Sequence, residues 1–198
     1  MGMENNTHHS DELGLHSTCT HIGEVKDEQF KGAVSPLYMS SSYEYENVDV
    51  KRYPRYFNTP NQEFLSKKLA ALEKTESALI FGSGMAAIST TLMALLRAGD
   101  HAVFQQSLYG GTYNFATTQL NRCGMQYNFT TGTTLAEFQA VVRPETKLIY
   151  LETPSNPLLA ITPLKEIADW AKSKGITTVI DNTFASPVNQ NPVELGID

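Results

Sequence analysis

The chain has 198 residues, of which 41% are apolar and 18% charged, and a formal net charge of −6; a domain of that size buries roughly 70% of its unfolded surface. The acidic excess is spread along the sequence with no basic stripe, which argues against nucleic acid and anionic membranes and favours a small-molecule ligand. Two distant cysteines, Cys19 and Cys123, exclude a disulfide framework and suit a reducing, cytoplasmic compartment.

Residues 1–58 lack sustained periodicity and mix tyrosines with charges, so they are expected to form an extended arm that packs on something else. At Thr59-Pro60-Asn61-Gln62 the pattern changes to a capping box with proline at the first helical position. Leu65, Leu69 and Leu72 then share one helical face. An α/β domain over 59–198 follows. Strands are expected at 78–81, 101–104, 125–129, 148–151 and 176–180. Helices are expected at 85–96 and 112–122, after a second capping box at Thr134-Leu135-Ala136-Glu137, and from Thr162-Pro163 to a stop at Gly175. Five strands with helical crossovers predict a mostly parallel sheet covered on both faces.

The longest aliphatic run, residues 92–96, is far short of a membrane span, and the polar first fifteen residues predict no leader. Met1-Gly2 departs from a myristoylation start at Asn6. The glycosylation triplets at Asn5 and Asn128 mean little without a signal peptide.

Several segments carry chemistry. Gly82-Ser83-Gly84-Met85-Ala86-Ala87 lies between a strand and a helix, where free N–H groups and the helix dipole favour phosphate. It also fits the dinucleotide pattern G-x-G-x-x-A, but the acid that pattern needs after the next strand is replaced by Phe104-Gln105-Gln106. Tyr109 precedes two glycines and can present its ring flat to a ligand. Asn156 sits in a proline-bracketed loop within Glu152-Thr153-Pro154-Ser155-Asn156-Pro157, and could donate to a phenolate oxygen or simply shape the turn. Asp181 ends a buried strand, where a carboxylate can hold a pyridine nitrogen protonated or cap the next segment. Tyr53 and Arg55 read as a phosphate clamp or as solvated side chains of the arm. His16, Cys19 and His21 lack a fourth partner for a metal. The strand-following sites and Asp181 fall on the carboxyl edge of one sheet, and that convergence favours a single ligand site.

These motifs, with the opening Ser17-Thr18-Cys19-Thr20-His21-Ile22-Gly23, resemble the Cys/Met-metabolism (transsulfuration) family of pyridoxal 5'-phosphate enzymes. The likeness runs from about residue 13 to the end. It implies the aspartate-aminotransferase type of fold, fold type I, incomplete at the carboxyl end. It implies that Gly84 and Met85 bind the cofactor phosphate through backbone N–H groups, with Ser83 among the cofactor contacts, that Tyr109 stacks on the ring, and that Asp181 pairs with the ring nitrogen. Asn156 would face the phenolic oxygen, and Thr183 would join the cofactor contacts. Tyr53 and Arg55 would reach from a neighbouring subunit, so the site belongs to a homodimer, assembled as a homotetramer at full length. Tyr109 and Asp181 are the expected catalytic residues, with no metal.

The family's Ser-x-Thr-Lys segment would begin beyond Asp198, and its carboxyl-terminal domain would follow. The Schiff-base lysine is thus expected outside this chain, which by itself is expected to be inactive. Tyr109-Gly110-Gly111-Thr112 is similar to cystathionine γ-synthases, γ-lyases and homoserine sulfhydrylases, and Ser83-Gly84-Met85 to the cystathionine enzymes. The resemblance implies making or breaking a C–S bond at the γ carbon of cystathionine or an activated homoserine, with cystathionine β-lyase or O-acylhomoserine sulfhydrylase activity as the alternative.

Overall fold

The structure, a computed structural model, describes residues 13–198. The Met1-Gly2 and Asn5 motifs lie outside the described residues. The chain divides into two compact units, residues 1–80 and 81–198. The expected end of the arm at residue 58 falls inside the first.

In the first unit, α1 (Leu15–His21) precedes a long irregular stretch, and α2 (Pro60–Glu73) follows it. The capping box at Thr59 forms as its sequence requires, with Gln62 reaching back to the Thr59 N–H at 3.1 Å. Ala70 is the buried apolar residue here among those described. Polar contacts therefore tie the arm to α2: Lys68 pairs with Glu24 at 2.6 Å, Arg52 with Glu63 at 2.8 Å, and Asn61 exchanges hydrogen bonds with the Tyr38 backbone. Gly23, at φ 78°, passes so close to α2 that a Cβ would lie 2.5 Å from the Phe64 carbonyl oxygen. Phe30, Val34, Leu37 and Met39 remain 73–89% exposed, consistent with an arm that has little core of its own.

The second unit begins with α3 (Gly84–Leu95), then β1 (His101–Phe104), and α4 (Gly110–Phe115), which continues through a π turn to Leu120 and a 3-10 turn to Cys123. β2 (Gln126–Phe129), α5 (Leu135–Gln139), β3 (Thr146–Glu152), α6 (Leu164–Ser173), β4 (Thr177–Asp181) and α7 (Ser186–Asn189) complete it. All strand pairs are parallel, in the order β2-β1-β3-β4.

Both sheet faces are covered, which is why the strands read as apolar runs. Ala102, Phe104, Leu148 and Tyr150 pack with Leu92, Leu96, Ala116 and Leu120 on one side. Val103, Ile149 and Leu151 pack with Phe138, Leu164, Ile167 and Ala171 on the other.

Among the described residues four strands form rather than five. Residues 78–81 adopt no ladder, and Leu79 is 67% exposed; an apolar run becomes a strand only when a neighbour takes its backbone hydrogen bonds. Helix α6 begins at Leu164 without a side-chain cap, because Pro163 occupies the N-cap position; the Thr162 hydroxyl, one residue earlier, donates to Gln105 Oε1 at 2.9 Å. Its stop at Gly175 holds, with φ 67°.

Candidate active site

The strand order places a topological switch between β1 and β3. The chain leaves β1 toward β2 and leaves β3 toward β4, so the two following loops diverge and open a crevice at the carboxyl edge. A cavity of about 370 Å³ lies there, lined by residues that include Ser83, Met85, Tyr109, Glu152, Asn156 and Asp181. Gly84, Thr183 and Phe184 also line it. Seven expected site residues of the second unit therefore meet around one space: Ser83, Gly84, Met85, Tyr109, Asn156, Asp181 and Thr183.

One wall is the amino terminus of α3, whose first N–H groups have no intrahelical acceptor. Ser83 caps it, its Oγ accepting the Ala86 N–H at 3.1 Å, and its carbonyl accepts the Ala87 N–H at 3.1 Å. A Cβ built on Gly82 or Gly84 meets nothing within 4 Å. The backbone is open to an approaching anion there, at the positive end of the helix dipole.

Tyr109 stands just before α4 and is 46% exposed. Gly111 makes room for it: a Cβ at that position would lie 2.6 Å from Tyr109 Cε1 and 2.8 Å from Met85 Sδ. On the floor, Asp181 Oδ1 accepts from the Thr183 N–H at 3.1 Å and from the Thr183 hydroxyl. This fixes the carboxylate against the edge of the cavity. The loop after β4 is in turn tied to the loop after β3, since Gln190 Nε2 donates to the Thr153 carbonyl at 3.1 Å and to Asn182 Oδ1 at 2.8 Å.

Glu152 carries no sequence signal of its own, yet it is the most connected group in the site. It is 5% exposed, with Oε2 accepting the Tyr109 N–H at 2.7 Å and Oε1 accepting the Asn156 N–H at 2.9 Å. Burial pushes its carboxyl above the usual value, the two N–H donors oppose that, and the Asp181 charge adds to the rise. Beneath the floor the Tyr150 phenol is raised by burial and by Asp181. The buried Thr112 hydroxyl beside it opposes that rise.

These features suit a flat, phosphorylated pyridine: a helix terminus for the phosphate, a ring to stack, a fixed carboxylate for a ring nitrogen, and an amide beside it. Tyr53 and Arg55 belong to the first unit, in a 3-10 turn at Pro54–Tyr56, where Arg55 Nη1 donates to the Tyr53 hydroxyl at 3.2 Å. Among the described residues no group of three or more His, Cys, Asp or Glu side chains could hold a metal ion, and no helix is long and apolar enough to cross a membrane.

Residues 16–198 match the family described as Cys/Met metabolism PLP-dependent enzyme. Two Bacillus subtilis proteins are each 41% identical to this chain: a cystathionine gamma-lyase over 179 residues, covering 89% of the chain and 47% of the relative, and a cystathionine beta-lyase over 171 residues, covering 84% and 43%. The crystal structure of metB from Corynebacterium glutamicum superposes with a TM-score of 0.90 at 32% identity, covering 95% of this chain and 50% of that one. The chain spans about half the length of the curated relatives it matches.

Proposed function

This chain belongs to the Cys/Met-metabolism PLP-dependent enzymes, and from that premise we propose that the protein makes or breaks a C–S bond at the γ carbon of cystathionine or an activated homoserine. The observation that carries the proposal is the convergence of seven motif residues on one cavity at the switch point of the sheet. The cofactor supplies, when bound, an electron sink for charge developing on the substrate amino acid.

The chain's own residues hold it. The Gly84 and Met85 N–H groups and Ser83 receive the phosphate, Tyr109 covers the ring, and Asp181, braced by Thr183, keeps the ring nitrogen protonated. Asn156 donates toward the phenolic oxygen. Tyr109 and Asp181 are the catalytic residues of this reading. Tyr53 and Arg55 serve a neighbouring subunit's phosphate, which makes the working form a homodimer, paired into a homotetramer. The substrates are small amino acids, and the two isolated cysteines support a cytoplasmic enzyme.

A second reading is β-carbon cleavage, favoured by a beta-lyase relative as similar as the gamma-lyase. The pair Gly110-Gly111 tilts the choice to the γ carbon.

The test is direct. A full-length version, carrying the lysine segment expected beyond Asp198, is titrated with pyridoxal 5'-phosphate and assayed on cystathionine and on an O-acylhomoserine with cysteine, separating γ from β products. Binding of a nicotinamide nucleotide in place of pyridoxal phosphate sinks the proposal.

A further inference from the structure

Glu152 ends β3 at the boundary from which two loops diverge, and its carboxylate is divided between them. One oxygen holds the backbone of Tyr109, 43 residues earlier, and the other holds the backbone of Asn156, four residues later. Its main chain is gripped from the same side, because Gln105 Nε2 donates to the Glu152 carbonyl at 2.8 Å and Gln105 Oε1 accepts from Thr162 at 2.9 Å. A second bridge, Ser155 Oγ to Ser107 Oγ at 3.0 Å, runs beside it.

The geometry matters because the sheet itself does not space these loops: beyond the last ladder bonds of β1 and β3 the two backbones share no register. Burying a carboxylate is costly unless its lone pairs are used. Here both oxygens are used, each on a loop that carries a cavity-lining side chain. A neutral amide of the same shape has a single oxygen, and its NH₂ would oppose an N–H donor.

We propose that Glu152 is a positioning residue that sets the separation of the Tyr109 ring and the Asn156 amide across the cavity by holding both backbones at once. This rests on the reading of the cavity as the pyridoxal-phosphate site. Glu152 touches the backbone of its neighbours and acts on a bound ring through them, while its register partner Asp181 meets the ring directly.

The experiment compares the full-length parent, which carries the Schiff-base lysine, with its Glu152→Gln and Glu152→Asp variants by amide hydrogen exchange without cofactor, and by titration with pyridoxal 5'-phosphate followed by absorbance. In Glu152→Gln, exchange in peptides containing Tyr109 and Asn156 accelerates while the sheet stays protected. Cofactor affinity falls roughly tenfold or more, as expected for losing a charge-assisted hydrogen bond, and the absorption maximum of the bound cofactor shifts. Glu152→Asp keeps both acceptor oxygens on a shorter stem and falls between the two. Parent-like exchange in both loops, or parent-like affinity and spectrum, in Glu152→Gln overturns the proposal. Should that variant not fold, parent-like behaviour of Glu152→Asp in both measurements does so. A parent that binds no pyridoxal phosphate overturns the cofactor reading and this proposal together; a parent that binds it as well as Glu152→Gln does overturns this proposal alone.

Discussion

Glu152 and Asp181 are register partners at the carboxyl ends of β3 and β4, so two carboxylates stand side by side on the edge of one sheet. Their environments separate their roles. Glu152 is buried and spends both oxygens on backbone N–H groups, whereas Asp181 is held through Oδ1 by Thr183 at the cavity floor.

In a full-length version that supplies the Schiff-base lysine, Asp181→Asn is therefore expected to lower turnover by roughly a hundredfold or more, the scale of removing one preorganised electrostatic contact, because an amide cannot keep a ring nitrogen protonated. Asparagine keeps the acceptor for Thr183, so the fold survives. Steady-state rates at matched cofactor occupancy check this; rates within a few fold of the parent count against the assigned role.

Arg55→Ala is expected to weaken cofactor retention roughly tenfold or more through loss of a charge-assisted phosphate contact. The effect should cross a subunit boundary. Mixed assemblies of Arg55→Ala and Asp181→Asn subunits should regain part of the activity that each lacks alone, and no recovery would remove the support for a shared site.

Gly111→Ala is expected to displace the Tyr109 ring and Met85 rather than the backbone, since the added Cβ would meet Tyr109 Cε1 at 2.6 Å and Met85 Sδ at 2.8 Å. Overpacking of this kind costs about 1–3 kcal/mol where neighbours cannot yield; two side-chain ends at a cavity wall can, so the melting temperature should stay near the parent's. Pyridoxal-phosphate affinity should fall. Unchanged affinity with an unmoved ring in a crystal structure would contradict the packing described for Gly111.

The first unit should lose stability in acid through Glu24. Hydrogen bonds from Lys68 and Ser35 hold its carboxyl down from 4.5 to about 2. The unfolded chain binds the proton first as pH falls, so the contribution is complete above about 4.5 and disappears toward about 2. Denaturant titrations across that range should show a steeper acid loss for the parent than for Glu24→Gln; parallel curves would show that Glu24 contributes nothing.

Local chemistry determined much of this protein. The capping boxes at Thr59 and Thr134 and the αL stop at Gly175 each depend on residues a few positions apart, so the sequence by itself sets them. The motif residues around Ser83, Tyr109, Asn156 and Asp181 were readable for the same reason: each follows a recognisable element, and parallel strands send their carboxyl ends to one edge.

Only the tertiary structure decided whether residues 78–81 become a strand, because a ladder needs a partner that no local pattern supplies. It alone brought the Thr162 hydroxyl within reach of Gln105. It alone gave Glu152 its place, since a carboxylate shared by Tyr109 and Asn156 exists only after β1 and β3 lie side by side and their loops turn apart. Long-range pairing sets which backbone donors meet a buried charge, and no spacing along the chain encodes that meeting.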